Sequence, residues 1–482
     1  MRRVPTATAA DQTATAVDRH SRALLRQGLL RSALVINAYR PKRNSQTLTV
    51  PSFFASWLVT EAAPIFLALT AARTSRELGG ALRDRAKRST ESGDDSAKLL
   101  QPSGWFGLAL TAAASLGVVG LIRQAQQSAE EFEASLSTLL SEEELLAAPQ
   151  AVRVGAILPV LNGSSRRRRT RNIVFSEHMT SKNGSSKNSS SKNSSRAGKT
   201  VRLKLDVYTP LEDPKPNQKR PAVLQIHGGA WVLGSKDEQG IPLLNHLASC
   251  GWVGFNADYQ LSPKVKYPGH LVDCKQALVW IREHAEEYNV DPNFIVVTGG
   301  SAGGHLCALV ALTQNDPAFQ PGFETADTSV QAAVPFYGVY DLTDREGHNG
   351  RQFTDLLTKT VMGVTMKESP AAWAAYSPLD RITEEAPAMM VIHGDKDVLV
   401  PVEGARNFAE ALQKTSKSPV VYAELHGAQH AFEIFSSFRT VNAVQAVERF
   451  LNHIYNDYLH SLEGDSADSA GSADAAGSAH TA

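Results

Sequence analysis

The stretch Phe294-Ile-Val-Val-Thr-Gly-Gly-Ser-Ala-Gly-Gly-His-Leu-Cys-Ala-Leu-Val310 decides the fold. Phe294 to Thr298 is short, apolar and β-rich, which predicts a buried strand. Ala302 to Leu312 predicts a helix. Between them lies Gly299-Gly300-Ser301-Ala302-Gly303, a G-x-S-x-G turn. A strand that reverses sharply into a helix strains its turn residue and leaves no room for a Cβ on either side. Ser301 is then pushed clear of the sheet. It sits at a helix N-terminus, where unpaired N–H groups favour developing negative charge.

Outward from this turn the pattern is strand, loop, helix, repeated. Pro221–Ile226, Trp252–Asn256, Val330–Val334, Ala388–Ile392 and Val420–Leu425 read as strands. Ile241–Cys250, the run through Leu271, Cys274, Leu278 and Ile281, and Val402–Thr415 read as helices. Such alternation predicts an α/β domain over about 165–460, a mostly parallel sheet with helices on both faces. Sites in these sheets form at the carboxyl ends of the strands.

Three more loops at those ends carry chemistry. His227-Gly228-Gly229-Ala230-Trp231 follows the first strand, and its tandem glycines let backbone N–H groups point into a site as an oxyanion requires. His227 lies on the donor side and reads as a loop organiser. His393-Gly-Asp395-Lys-Asp397 offers a carboxylate that can orient an imidazole, with Asp397 favoured and Asp395 suited to a turn contact. His426-Gly-Ala-Gln-His430 offers the base; His430 is at the loop apex, whereas His426 follows its strand too closely to reach across the sheet. The candidate nucleophile, acid and base therefore run in the order Ser301, Asp397, His430, each ending a different strand.

The totals exclude some classes. Lys+Arg and Asp+Glu are both 49, so no global charge points to nucleic acid. The 482 residues leave room for roughly two or three domains. Cys250, Cys274 and Cys307 have neither disulfide-framework nor zinc-like spacing, and read as buried thiols.

Residues 1–150 form a helical region that we expect to associate with a membrane, with candidate spans at about 48–72 and 101–122. Gln101–Ile122 has no charge and is long enough to cross a hydrocarbon core of about 30 Å, with Trp105 near one end. The earlier stretch carries Glu61 and Pro64; a buried helical hairpin would share these compositions. Arg73–Lys98 is basic and should be cytoplasmic, which puts the catalytic domain outside the cytoplasm. The N-terminus is basic too, and shares that side only if the number of crossings is odd.

Residues 151–200 read as a linker and a low-complexity hairpin loop. The run Arg166–Arg169 reads as a solvated loop, and Ser181–Lys199 repeats Ser-Lys-Asn units that cannot build a core. Asn172–Met179 and Thr200–Thr209 flank the repeat as two paired strands. The tail, 461–482, is rich in Ser, Ala, Gly and Asp and reads as disordered.

The motifs His227-Gly-Gly-Ala-Trp231, Gly299-Gly-Ser-Ala-Gly-Gly304, Asp258-Tyr-Gln-Leu-Ser-Pro263, Asp291-Pro-Asn-Phe-Ile295 and His393-Gly-Asp-Lys-Asp397 resemble the hormone-sensitive-lipase-like α/β-hydrolase esterases. Pro335-Phe-Tyr-Gly-Val-Tyr-Asp341 and the apolar N-terminal region resemble the mycobacterial-type Lip carboxylesterases. The family likeness covers about 200–460. It implies hydrolysis of a small-molecule or lipid ester through an acyl-enzyme, with Ser301, Asp397 and His430 as the triad and no metal or organic cofactor. It implies an oxyanion hole from the N–H groups of Gly229, Ala230 and Ala302, with Gly228 shaping the loop. An amidase or peptidase would use the same triad, and a silent binding protein would have a damaged one. Many relatives carry a third glycine where Ala230 stands, and an acidic or hydroxyl residue where Gly300 stands. Ala230 still supplies an N–H; Gly300 leaves the substrate open.

Overall fold

The computed structural model of the chain describes residues 9–43, 47–92, 98–146, 167–179, 200–214 and 218–477. The Ser/Lys/Asn repeat, Arg166 and most of the expected linker lie outside them.

Four helices come first: α1 (Ala9–Tyr39), α2 (Thr49–Glu61), α3 (Ala63–Ser92) and α4 (Pro102–Leu136), with a short α5 (Glu142–Leu146) after them. Then come β1 (Arg167–Met179), β2 (Thr200–Pro210), β3 (Arg220–Ile226), α6 (Ile241–Ser249), β4 (Val253–Ala257), α7 (Gly269–Glu283), β5 (Val290–Gly300), α8 (Ala302–Leu312) and β6 (Ala332–Phe336). The short α9 (Arg351–Leu356) and α10 (Pro370–Ala375) precede β7 (Ala388–Gly394), α11 (Val402–Thr415), β8 (Val420–Leu425) and α12 (Phe438–Gly477).

The eight strands form one sheet in the order β1-β2-β4-β3-β5-β6-β7-β8. From β4 to β8 every pairing is parallel, and β1 and β2 add an antiparallel edge. Side chains alternate between faces, so each central strand feeds two cores. Leu224, Ile295, Val297, Met389 and Val391 join one core with α7, α8 and α11. Val223, Phe294, Val296, Met390 and Ile392 join the other with α6 and α12. The strand order reverses at β3 and β5, the crevice where such sheets carry sites.

Several expectations need correction. Arg167–Arg169 are not a solvated loop but the start of β1. Arg169 pairs with the buried Asp206 at 2.6 Å, and both Arg167 and Arg169 lie over the Tyr208 ring at 5.0 Å. A carboxylate buried in a strand requires its cations beside it, and Lys236 completes the group at 2.9 Å. Cys250 is exposed, because it caps the end of α6. The last helix runs on to Gly477, past the expected break near 461; the segment is alanine-rich and contains no proline to stop it. Leu357, Val361, Met362 and Trp373, from the irregular stretch before β7, belong to the main core.

The expected span at about 48–72 is not one helix. It breaks at Ala62 with a bend of 87°. Pro64, in the first turn of α3, has no N–H to carry the α2 ladder onward. α4 is unbroken, and it is long and apolar enough to cross a membrane. α1 runs parallel to it: Ser21 meets Gln101 at one end, and Tyr39 meets the Gly117 carbonyl at the other. α3 runs the opposite way, with Glu77 on His20 and Thr74 on Arg31. α1 and α4 touch backbone to backbone, since a Cβ on Gly107 would stand 2.5 Å from the Leu24 carbonyl carbon.

The foot of this bundle is part of the catalytic domain's core. Phe132 and Leu136 of α4, and Phe53 of α2, pack into the same cluster as α12.

Candidate active site

Ser301 sits between β5 and α8 with φ 60° and ψ −120°, a strained conformation for a residue with a Cβ. The surroundings over-determine it. Its N–H donates to the Phe336 carbonyl at 3.0 Å, and its carbonyl accepts from His305 N–H at 3.0 Å. A Cβ on Gly303 would stand 2.1 Å from the Ile226 carbonyl oxygen, so only glycine lets the turn lie against β3. Gly300 is filled from outside, since a Cβ there would stand 2.6 Å from the Tyr337 hydroxyl.

The loop after β3 folds against this turn. Gly228 lies so close that an added Cβ would be 3.1 Å from Ser301 Cβ. Its own N–H is committed to Gln239 Oε1 at 2.6 Å, so Gly228 shapes the loop and is not a free donor. Gly229, Ala230 and Trp231 all have positive φ, at 117°, 52° and 61°. The Gly229 carbonyl accepts from both Val232 and Leu233 N–H at 3.0 Å, which closes the loop. The N–H groups of Gly229 and Ala230 meet no acceptor among the described residues, and that of Ala302, in the first turn of α8, has none within its helix. His227 organises the loop: Nδ1–H donates to the Gly228 carbonyl at 2.8 Å, and the ring stacks on Tyr259. Burial lowers its pKa to about 4, which keeps it neutral.

Asp397 and His430 meet at the far side of the turn. His430 Nδ1–H donates to Asp397 Oδ2 at 2.6 Å, which leaves Nε2 as the free base. Asp397 Oδ1 accepts from Leu399 and Val400 N–H, both at 2.8 Å. Burial would raise the Asp397 carboxyl, but His430 and His393 together hold it well below the usual carboxylate range. His393 Nε2 lies 3.3 Å from the same Oδ2, a second imidazole that sequence reasoning missed. Asp395 instead ties the turn, accepting from Gly427 N–H at 2.7 Å and from the exposed His426 at 2.8 Å. The Ser301 hydroxyl makes no hydrogen bond to His430 among the described residues. Tyr337 joins them, its ring tilted against the His430 ring with centroids 4.6 Å apart and its hydroxyl placed against Gly300.

A second acid lies behind the base. Glu433 is buried near the Tyr337 hydroxyl, out of hydrogen-bonding geometry. Burial pushes its pKa from 4.5 up to about 6. A carboxyl that holds its proton more tightly in the fold contributes stability in full below pH about 4.5, and loses it as pH rises through about 6. The loss should be about 2 kcal/mol. Thermal melts across that range should show this fall in the native chain and not in Glu433→Gln; equal slopes in both would refute the assignment.

The N-terminal helices supply contacts with no counterpart in any motif. Phe53 sets its ring edge-on to His430 at 6.2 Å, and Trp57 Nε1–H donates to the Ala431 carbonyl at 2.9 Å. Glu61 is fully buried against Arg439 at 2.6 Å and accepts from Ser437 Oγ at 2.7 Å. The signal in the sequence was Glu61 itself, the only charge between Arg43 and Arg73.

This sheet, with a strained serine, an Asp–His pair and a ring of backbone donors at its carboxyl edge, defines an α/β-hydrolase. The BD-FAE family model matches residues 205–412. Two proteins of Mycobacterium tuberculosis, probable carboxylic ester hydrolase LipM and esterase LipQ, are 47% and 42% identical over 49% and 52% of this chain. The chain spans only 54% and 60% of their lengths. An arylesterase of Saccharolobus solfataricus is 30% identical over 48% of this chain and 72% of its own. Among solved structures, Thermogutta terrifontis esterase 2 is 32% identical over 53% of this chain and 90% of that one, with a TM-score of 0.45. The chain belongs to the hormone-sensitive-lipase-like esterase family, beside the mycobacterial Lip enzymes.

Proposed function

We propose that the chain is a serine carboxylesterase acting by two-step acyl transfer. The observation that carries this is the Asp397–His430 bond beside the strained Ser301. His430 Nε2 takes the Ser301 proton as Oγ attacks the ester carbonyl. The N–H groups of Gly229, Ala230 and Ala302 receive the oxyanion, each lowering the barrier by about 3 kcal/mol. Asp397 stabilises the imidazolium. His430 then protonates the leaving alcohol, and water activated by the same nitrogen releases the acid. Hydrolysis of a p-nitrophenyl ester series beside matching anilides tests the bond. Esters should turn over faster than the matching anilides; faster anilide cleavage would refute the reading.

We also propose that α1, α3 and α4 hold this domain on a lipid bilayer. Leu29, Leu30, Ile36, Leu69, Trp105 and Leu116 point outward, each more than half exposed. Arg31 turns inward to Thr74 and Thr111, as an intramembrane cation must. α4 is the one described helix long and apolar enough to cross, and α1 and α3 pack along it. Both basic segments, Arg19–Arg26 and Arg73–Arg88, then share the side away from the catalytic domain. Alkaline carbonate should leave the chain in the membrane fraction of expressing cells; its release would sink the proposal.

A further inference from the structure

We infer that Ser56 and Gln429 are positioning residues for the catalytic base, so that α2 fastens His430 in its working geometry. The inference rests on the esterase reading above. Gln429 immediately precedes His430, and its side chain is buried. Its Oε1 accepts from Val398 N–H at 2.9 Å and from His430 N–H at 3.0 Å. Both partners are donors, so the oxygen must lie at this end and the amide cannot turn over. Its Nε2 then donates to Ser56 Oγ, the buried hydroxyl of α2, at 3.0 Å.

One side chain therefore ties the residue after Asp397 to the residue that is the base. Its other end is held by a helix some 370 residues earlier in the chain, the separation of Ser56 and Gln429 being 373. Phe53 and Trp57, one turn of α2 around Ser56, hold the His430 ring and the Ala431 carbonyl. α2 thus touches residues 429, 430 and 431 in succession. Without Ser56 the amide loses its outer partner, and the two inner N–H groups depend on a side chain free to swing. A small misplacement of a catalytic group slows the chemical step without changing substrate affinity.

The test is a double-mutant cycle on the full chain in detergent, with p-nitrophenyl butyrate turnover and the rate of Ser301 labelling by a fluorophosphonate as readouts. Ser56→Ala should lower kcat about fivefold with KM unchanged, and slow labelling in parallel. Gln429→Met should lower kcat about thirtyfold, and the double variant should be no slower than Gln429→Met alone, because Ser56 acts through Gln429. A Ser56→Ala kcat within twofold of wild type, or effects that multiply, would overturn the inference while leaving the esterase reading intact. A wild-type chain that neither turns over ester nor labels would overturn both.

Discussion

Ser301→Ala should lower ester turnover by about 10⁴- to 10⁶-fold, with the fold intact. The magnitude follows from what the group does. Removing the nucleophile leaves only oxyanion binding and orientation, which retain about 10³–10⁴ of rate over water in enzymes of this chemistry. Folding should not suffer, because the turn is held by backbone bonds to Phe336 and His305 and by glycines, none of which use the hydroxyl. Alanine also relieves nothing, since it carries the same Cβ at φ 60°. Circular dichroism and a thermal melt matching wild type, with turnover at background, is the expected outcome. Residual activity above about one percent would mean that another group attacks the ester.

The second large effect is on stability. Arg439→Leu should cost about 3–5 kcal/mol, because Glu61 would keep a buried charge with no cation. For a domain of this size that is a fall of roughly 10 °C in Tm. Replacing both partners, as Glu61→Leu with Arg439→Leu, should recover most of the loss, since two apolar side chains need no solvation. The single Arg439→Leu should also weaken the grip of α2, and with it activity. A Tm unchanged in the single variant would show that the pair is solvated and that the N-terminal helices do not dock as described. By the same reasoning a fragment of residues 165–460 should be poorly stable, as it exposes the core sites filled by Phe53, Phe132 and Leu136 and strands Arg439.

That last expectation marks where the sequence stopped being legible. The catalytic half was readable because its signals are local. A buried strand, two glycines and a helix specify the turn at Ser301 within ten residues, and each catalytic loop follows its own strand. The alternation that places Val296 and Val297 in different cores is also written residue by residue. What could not be read was long-range. Glu61 looked like a flaw in a membrane span because its partner Arg439 lies 378 residues on. The basic run at Arg167 looked like a solvated loop because Asp206 and Tyr208, which neutralise and cover it, belong to the next strand. Gln429 carried no signal, since a buried amide matters only through the three groups it meets.

The α2 contacts also join the two halves of the functional account. One face of α2 carries Phe53, Ser56 and Trp57 toward the base, and the other exposes Val50, Phe54 and Leu58. α2 thus touches both the loop that carries His430 and the outer surface of the bundle.

The central claim is that Ser301 carries the acyl group. The most direct measurement is to quench the full chain in acid during turnover of p-nitrophenyl butyrate and map the butyryl group by peptide mass. The account predicts the adduct on the peptide containing Ser301, accumulating in His430→Ala under forcing conditions and absent from Ser301→Ala. Turnover with no adduct on that peptide, or an adduct that persists in Ser301→Ala, would contradict it.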